Sequence, residues 1–251
     1  LFPHYFPFEG HAIQDMSRIC AGSVLSENIL SLLNTKTGGQ VFVIGTAHVS
    51  KESAYQVRQA IREIRPQTVM LELCKKRAQE LHKHRTSLRY KSNAFLDVLR
   101  ERARPYVPET LLPVFNRVLP SSSEIPYGGE ILVAMEEATR LKANVVLGDQ
   151  DHDETMKRLD PLLKSAAQGN ADVLSHSPPP PALLSMLAGN MTCSENIEGM
   201  KQRSIMRAMN AWMKQSSPDL YRVMVEERDL VLTRALKGCE GERVVGVVGI
   251  G

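Results

Sequence analysis

The stretch that most constrains the fold is Gln40 to Ser50, which reads Gln-Val-Phe-Val-Ile-Gly-Thr-Ala-His-Val-Ser. Val41 to Ile44 form a short apolar run rich in β-branched residues and closed by Gly45, the pattern of a parallel strand buried on both faces. His48 stands three residues past that glycine. Ser50 then opens a segment with apolar positions at Ala54, Val57, Ile61 and Ile64, which is helical spacing. The histidine is therefore predicted in a strand-to-helix turn, at the carboxyl edge where open α/β sheets bind ligands.

The rest of the chain is compatible with such a sheet. Its 251 residues suffice for one large domain or two small ones, and 43% apolar with 24% charged residues is ordinary for a globular protein. A net charge of +3 gives no argument for nucleic acid as a partner. Cys20, Cys74, Cys193 and Cys239 are far apart with no Cys-x-x-Cys, which argues against a disulfide framework and a zinc ribbon and for a reducing compartment. No apolar run approaches the roughly 18 residues of a membrane span. Residues 1–36 read as a flanking segment, within which Val24 to Leu33 is a short amphipathic helix or a segment covering the sheet edge. Gly38-Gly39 marks the turn before the first strand. The chain starts without methionine and stops inside the apolar run Val244 to Gly251, so it reads as a fragment.

Glu52 in the first turn and Pro66 after Arg65 bound the first helix. Thr68 to Leu73 is a second strand, apolar except for Glu72. A carboxylate there is informative, because a buried charge is costly unless paired, hydrogen-bonded or metal-bound. Strand, helix and strand in succession predict two parallel strands close in space, with His48 and Glu72 at one edge. Lys75 to Arg104 then carries ten Lys and Arg against three acids. Its favoured reading is a solvated basic face on two helices; the alternative is a surface for an anionic membrane or an acidic ligand.

Pro105, Pro108, Pro113, Pro120 and Pro126 break the next stretch into a connecting region. A helix from Gly129 through Leu141 leads into a third strand, Asn144 to Leu147, ended by Gly148-Asp149. Asp153 to Leu163 is helical, while residues 167–181, with four consecutive prolines from Pro178, must be an exposed loop. That loop and the following helix make an insertion at about 168–218. Helices are predicted at Ala182 to Leu187, Met200 to Met213 and Asp219 to Leu236, the last started by Ser217-Pro218. On this last helix Leu220, Val223, Met224 and Val231 form an apolar stripe that also holds Glu227, so an inward-facing carboxylate with a buried arginine or histidine partner from the strand edge is expected. Arg243 to Val248 is a fourth strand, stopped by Gly249.

Gly45-Thr46-Ala47-His48, then Glu72-Leu73-Cys74 with Arg77, resemble the TraB family, which takes in the bacterial pheromone-shutdown (PrgY) and GumN proteins and eukaryotic TraB domain-containing proteins, and is related to the Tiki proteases. Gly129-Glu130 with Ala134 is similar to the family's Gly-x-Glu-Met helix, with Ile131 in place of methionine. Gly148-Asp149 with Thr155 and Arg158 resembles its Gly-Asp-Arg motif, and Glu227-Arg228-Asp229 its Glu-Arg-Asn or Glu-Arg-Asp helix. The resemblance covers roughly Gln40 to Gly251, excluding the proline-rich insertion, within a TraB-like domain at 37–251. Gln150 departs from the family's arginine, which leaves open the carboxylate or substrate contact that arginine would make. The second Gly-x-x-His of the related proteases would begin at Gly249, so the resemblance implies a histidine just past Gly251, then further apolar spans.

The resemblance implies an α/β fold with a mainly parallel central sheet and helices on both faces, and a metal-dependent peptidase-like function in a membrane-tethered protein. His48 would be a metal ligand and Glu72 a ligand or general base, on a divalent ion such as Mn, Co or Zn that acidifies a water. Gly45, Arg77, Glu130, Asp149, Thr155, Arg158, Glu227, Arg228 and Asp229 would form the supporting network. The implied partner is a peptide or protein, with a membrane reached through a C-terminal segment and no nucleic acid; the domain would face the cytosol, for example at the mitochondrial outer membrane. The competing reading is a non-catalytic adaptor or receptor, in which His48 is a hydrogen-bonded structural residue and Glu72 pairs with Arg77 or Arg228. Asp151-His152-Asp153 is read as a helix cap, because consecutive residues cannot all reach one ion. The chain has no Gly-x-Ser-x-Gly elbow and no phosphate-cradling glycine motif. Met186, Met191, Met200, Met206, Met209 and Met213 read as core filling.

Overall fold

The structure, a computed structural model, describes residues 28–47, 51–84, 128–167 and 203–249. In chain order these form β1 (Ile29–Leu33), β2 (Gln40–Thr46), α1 (Lys51–Ile64), β3 (Thr68–Leu71), α2 (Lys75–His84), α3 (Gly129–Leu141), β4 (Asn144–Leu147), α4 (His152–Ala167) and α5 (Arg203–Ser216). A helical run follows, with an α turn α6 (Pro218–Tyr221), a π-helical stretch π1 (Arg222–Glu226) and α7 (Glu227–Gly238), and β5 (Arg243–Gly249) comes last. Described residues up to Cys74, from Gly128 to Asp149 and from Asp229 onward make one compact unit; those of 75–84, 150–167 and 203–228 belong to a second.

The first unit is an α/β layer structure around a five-stranded sheet of order β1-β2-β5-β3-β4. Only β1 runs antiparallel. Of the two readings for the segment ending at Leu33, the edge-covering one applies to 29–33 and the helical one does not: β1 pairs with β2 from Ile29 opposite Ile44 to Leu33 opposite Gln40. The sheet thus begins within what the sequence suggested as a flanking segment. The turn between these strands is closed by Asn34, whose amide donates to the Gly39 carbonyl at 2.8 Å and whose carbonyl accepts from Gly38 at 2.7 Å. Gly38 stands there at φ 75°, a conformation that glycine adopts without steric cost.

Alternation along the strands sorts the core into two faces. Val41, Val43, Met70, Val244 and Val248 point to the face covered by Leu232, Leu236 and Cys239 of the α7 region. Phe42, Ile44, Val69, Leu71, Val245 and Val247 alternate with them, are just as buried, and face the side where α1 and α3 pack. Burying both faces explains why β2 and β5 read as continuous apolar runs. The one interruption, Gly246, lies under α7: a Cβ there would come within 2.8 Å of Leu236 Cδ2.

β2 and β3 are parallel, as expected, and β5, the last strand of the chain, lies between them. Two expectations are corrected. β2 continues through Gly45 to Thr46, since Gly45 is in register with Val248 of β5 and is not a strand stop. β3 ends at Leu71, which places Glu72 just beyond the strand and not inside it.

The second unit is helical among the described residues. Met156 and Leu159 of α4 bury against Val223 of π1, with Leu162, Leu163, Leu220 and Met224 around them. Met206 on α5 is also buried, in keeping with a core-filling role. Lys76 of α2 and Asp153 of α4 form an ion pair at 2.7 Å. The helix expected at 200–213 spans Arg203–Ser216, and Pro218 starts the next one. The proline-rich loop and most of the basic 75–104 stretch lie outside the described residues, and no described helix is long and apolar enough to cross a membrane.

Candidate functional site

The parallel strands β2, β5, β3 and β4 deliver their carboxyl ends to one edge of the sheet. Glu72 sits there, only 8% exposed. Its backbone amide donates to the Val247 carbonyl at 3.0 Å, and its carboxylate Oε2 accepts the Gly249 amide at 2.5 Å. The carboxylate is therefore held by the neighbouring strand's backbone, which answers the desolvation cost of burying it. Next to it the Thr46 hydroxyl donates to the Val248 carbonyl at 3.1 Å, and the amide of Ala47 donates to Ser53 Oγ at 3.1 Å. Ser53 is fully buried on α1, so Ala47, just past the end of β2, is tied to that helix.

Asp149 follows β4 at the same edge, and its amide donates to the Leu73 carbonyl at 3.4 Å. Gly148 before it has no room for a side chain, because a Cβ would collide with the sulfur of Met70. Glu130 is 1% exposed in the first turn of α3, where a carboxylate complements the helix dipole. Gly128 precedes that helix at φ 79°. Gly45 lies inside β2 as described.

In the second unit Arg158 and Glu227 form a two-pronged ion pair, Nη2 to Oε1 at 2.6 Å and Nη1 to Oε2 at 2.5 Å. Arg222 Nε stands 4.0 Å from the same carboxylate. Glu227 has the arginine partner that its place on an apolar stripe called for, but that arginine comes from α4 and not from a strand edge. Its carboxylate is also 20% exposed and so only partly buried. The π-helical stretch π1 immediately precedes Glu227 in the chain. Thr155 is buried on α4, its hydroxyl donating to the Asp151 carbonyl at 3.3 Å. Arg77, Arg228 and Asp229 are half-buried. His48 lies outside the described residues.

The cap reading of Asp151-His152-Asp153 agrees with the geometry: Asp151 Oδ1 accepts the Asp153 amide at 2.9 Å, at the start of α4. Among the described residues no three His, Cys, Asp or Glu side chains gather as a ligand set for an ion.

Sequence reasoning missed Thr46 and Ser53, whose hydroxyls pin the strand ends. The available signal was a small hydroxyl residue in the first turn of a helix that directly follows a strand. It also missed Glu137 of α3, 1% exposed and surrounded by arginines: Arg62 Nη2 at 2.6 Å, Arg140 Nε at 2.8 Å and Arg58 Nε at 3.5 Å.

The TraB/PrgY/gumN family profile matches residues 32–251, from within β1 past the end of β5. The chain belongs to the TraB/PrgY/gumN family. The TraB domain-containing protein of Bos taurus is 30% identical over 244 residues, and that of Mus musculus 30% over 249. That of Homo sapiens is 29% identical over 244 residues. Each match covers 87% of this chain and 62% of the relative, so the chain spans less than two thirds of the length of these curated relatives. In this TraB/PrgY/gumN domain the motifs divide between the two units: Gly45, Glu72, Glu130 and Asp149 fall in the first, and Arg158 with Glu227 in the second.

Proposed function

We propose that this domain is a peptidase-like hydrolase of TraB type that works at the carboxyl edge of its sheet. The supporting observation is Glu72, a buried carboxylate fixed by the Gly249 amide at the end of a parallel strand. A carboxylate oriented in this way is suited to act as a general base toward water, since its geometry is set before substrate arrives. In this reading His48, just past the anchored Ala47, and Glu72 take part in binding a divalent ion such as Mn, Co or Zn. The substrate is a peptide or protein. Attachment to a membrane by a C-terminal segment, with the domain facing the cytosol as at the mitochondrial outer membrane, belongs to the same proposal.

A second reading is favoured by the same hydrogen bond. One oxygen of Glu72 is engaged by the backbone of β5, so the residue can serve as a latch between β3 and β5 in a non-catalytic adaptor or receptor domain. Calorimetric titration of the wild type, His48→Ala and Glu72→Gln with Mn, Co and Zn separates the two. The hydrolase reading expects binding in the wild type and its loss in both variants with the fold retained; equal affinities in all three proteins leave the latch.

A further inference from the structure

The opposite, amino edge of the same sheet carries a feature that the carboxyl-edge chemistry does not use. A cavity of about 350 Å³ opens there between the ends of α1 and α3 and the starts of β3, β4 and β5. Three cationic residues, Arg65, Lys142 and Arg243, line it together with the amide side chains of Gln67 and Asn144, and no carboxylate does. The volume falls in the range of about 300–1,000 Å³ usual for small-molecule sites. Among the described residues none of the three cations makes an ion pair. The acids nearest in sequence, Glu240 and Glu242 before β5 and Glu63 on α1, are not in the lining.

The backbone adds a second, independent observation. Among the described residues two non-glycine positions have positive φ, Arg65 at 51° and Lys142 at 57°, and both line this cavity. Each follows a helix as a left-handed cap: the Arg65 amide donates to the Ile61 carbonyl at 2.9 Å and the Lys142 amide to the Thr139 carbonyl at 3.1 Å. Glycine or asparagine is the favoured residue for such a cap, and a side chain there costs roughly 1–2 kcal/mol. Two long cations placed where glycine would serve the backbone better, both at one cavity, indicate that the side chains are wanted. Gln67 holds the third in place, its Oε1 accepting the Arg243 amide at 2.8 Å and its own amide donating to the Arg243 carbonyl at 2.9 Å. The two helix carboxyl ends present about half a negative charge each, which three full positive charges outweigh.

We propose that the amino edge is an anion-binding site in which Arg65, Lys142 and Arg243 hold a ligand with clustered phosphate groups. Three cations converging on an open, polar cavity call for more than one negative charge on the ligand, and Arg guanidinium suits phosphate geometry. A soluble pyrophosphate-type anion and a phosphate-bearing lipid headgroup share this chemistry.

Isothermal titration of the purified protein with pyrophosphate, and flotation with phosphatidylcholine vesicles with or without phosphatidylinositol bisphosphate, test the site and distinguish the sources. Binding to either probe, reduced by about tenfold in each of Arg65→Gly and Lys142→Gly, is the expected result, since each variant loses one charge-assisted hydrogen bond. Glycine suits a positive φ, so both variants should melt at or above the wild-type temperature, which separates lost binding from lost folding. Lys164→Ala removes an exposed cation of α4 and should leave binding unchanged. No binding of either probe, or an equal loss in Lys164→Ala, overturns the proposal.

Discussion

The carboxylate of Glu72 accepts the backbone amide of Gly249 at 2.5 Å, joining the residue after β3 to the last residue of β5. Glutamine keeps an acceptor at this place and removes the charge, whereas alanine removes both. Glu72→Ala should therefore lower stability by about 1–3 kcal/mol by leaving a buried amide unsatisfied, and Glu72→Gln by much less. Urea unfolding of the two variants measures this. Equal losses would show that the charge and not the latch stabilises the edge.

Arg158 and Glu227 tie α4 to the start of α7 through one hydrogen bond and a second short ion-pair contact, but Arg158 is 48% exposed and its partner 20%. Solvent screening keeps such a pair well below a fully buried one. A double-mutant cycle with Arg158→Ala and Glu227→Ala should give a coupling of about 1–2 kcal/mol, above the range of a plain surface pair because the contact is two-pronged. A coupling near zero would remove the pair from any account of the second unit's stability.

Glu137 joins α1 to α3, and the hydrogen bond from Arg62, aided by Arg140, holds its carboxyl below the usual carboxylate range. A depressed folded-state value means that its stabilisation is whole above the unfolded-state value, about 4.3, and is lost as pH falls through the lower folded-state value. Glu137→Gln should cost about 1.5–3 kcal/mol near neutral pH, the worth of hydrogen bonds to a charged group, because the half-exposed arginines can turn to water. The deficit should shrink on acidification below the ordinary glutamate value. Thermal unfolding of both proteins across that range is the check, and a deficit independent of pH would contradict the assignment.

Burial pushes the Cys239 thiol up to about 11, and its Sγ donates to the Ala235 carbonyl at 3.2 Å. At pH 8 only about one thousandth is thiolate, and the thiolate is the reactive form. Iodoacetamide at pH 8 should leave Cys239 unmodified in the folded protein and alkylate it in urea, read by peptide mass spectrometry. Rapid labelling of the native protein would mean that the α7 end opens readily.

Several features of the sheet were legible because they are local. β4 and α3 are bounded by composition at Leu147 and Leu141, and β2 and β5 are apolar on both faces. The strand order was not legible, since nothing near Arg243 indicates that β5 will lie between β2 and β3. At the site, Glu72 stood out as a carboxylate in an apolar run, but its partner is a backbone amide 177 positions away. Glu227 stood out on its stripe as a carboxylate in need of an arginine, but that this arginine is Arg158, 69 positions away on a helix and not at a strand edge, was not readable along the chain.

A mainly parallel α/β layer with polar groups at its strand ends follows from the local pattern of residues, and the ordered motifs point to the family. Hydrophobic period and glycine placement act over a few residues, so they can be read along the chain. Which groups meet depends on packing across the fold: Glu72 with Gly249, Arg158 with Glu227, Glu137 with three arginines, and Arg65, Lys142 and Arg243 around one cavity. Those encounters follow from strand order and helix packing, where residues far apart in the chain come together as apolar faces are buried from water.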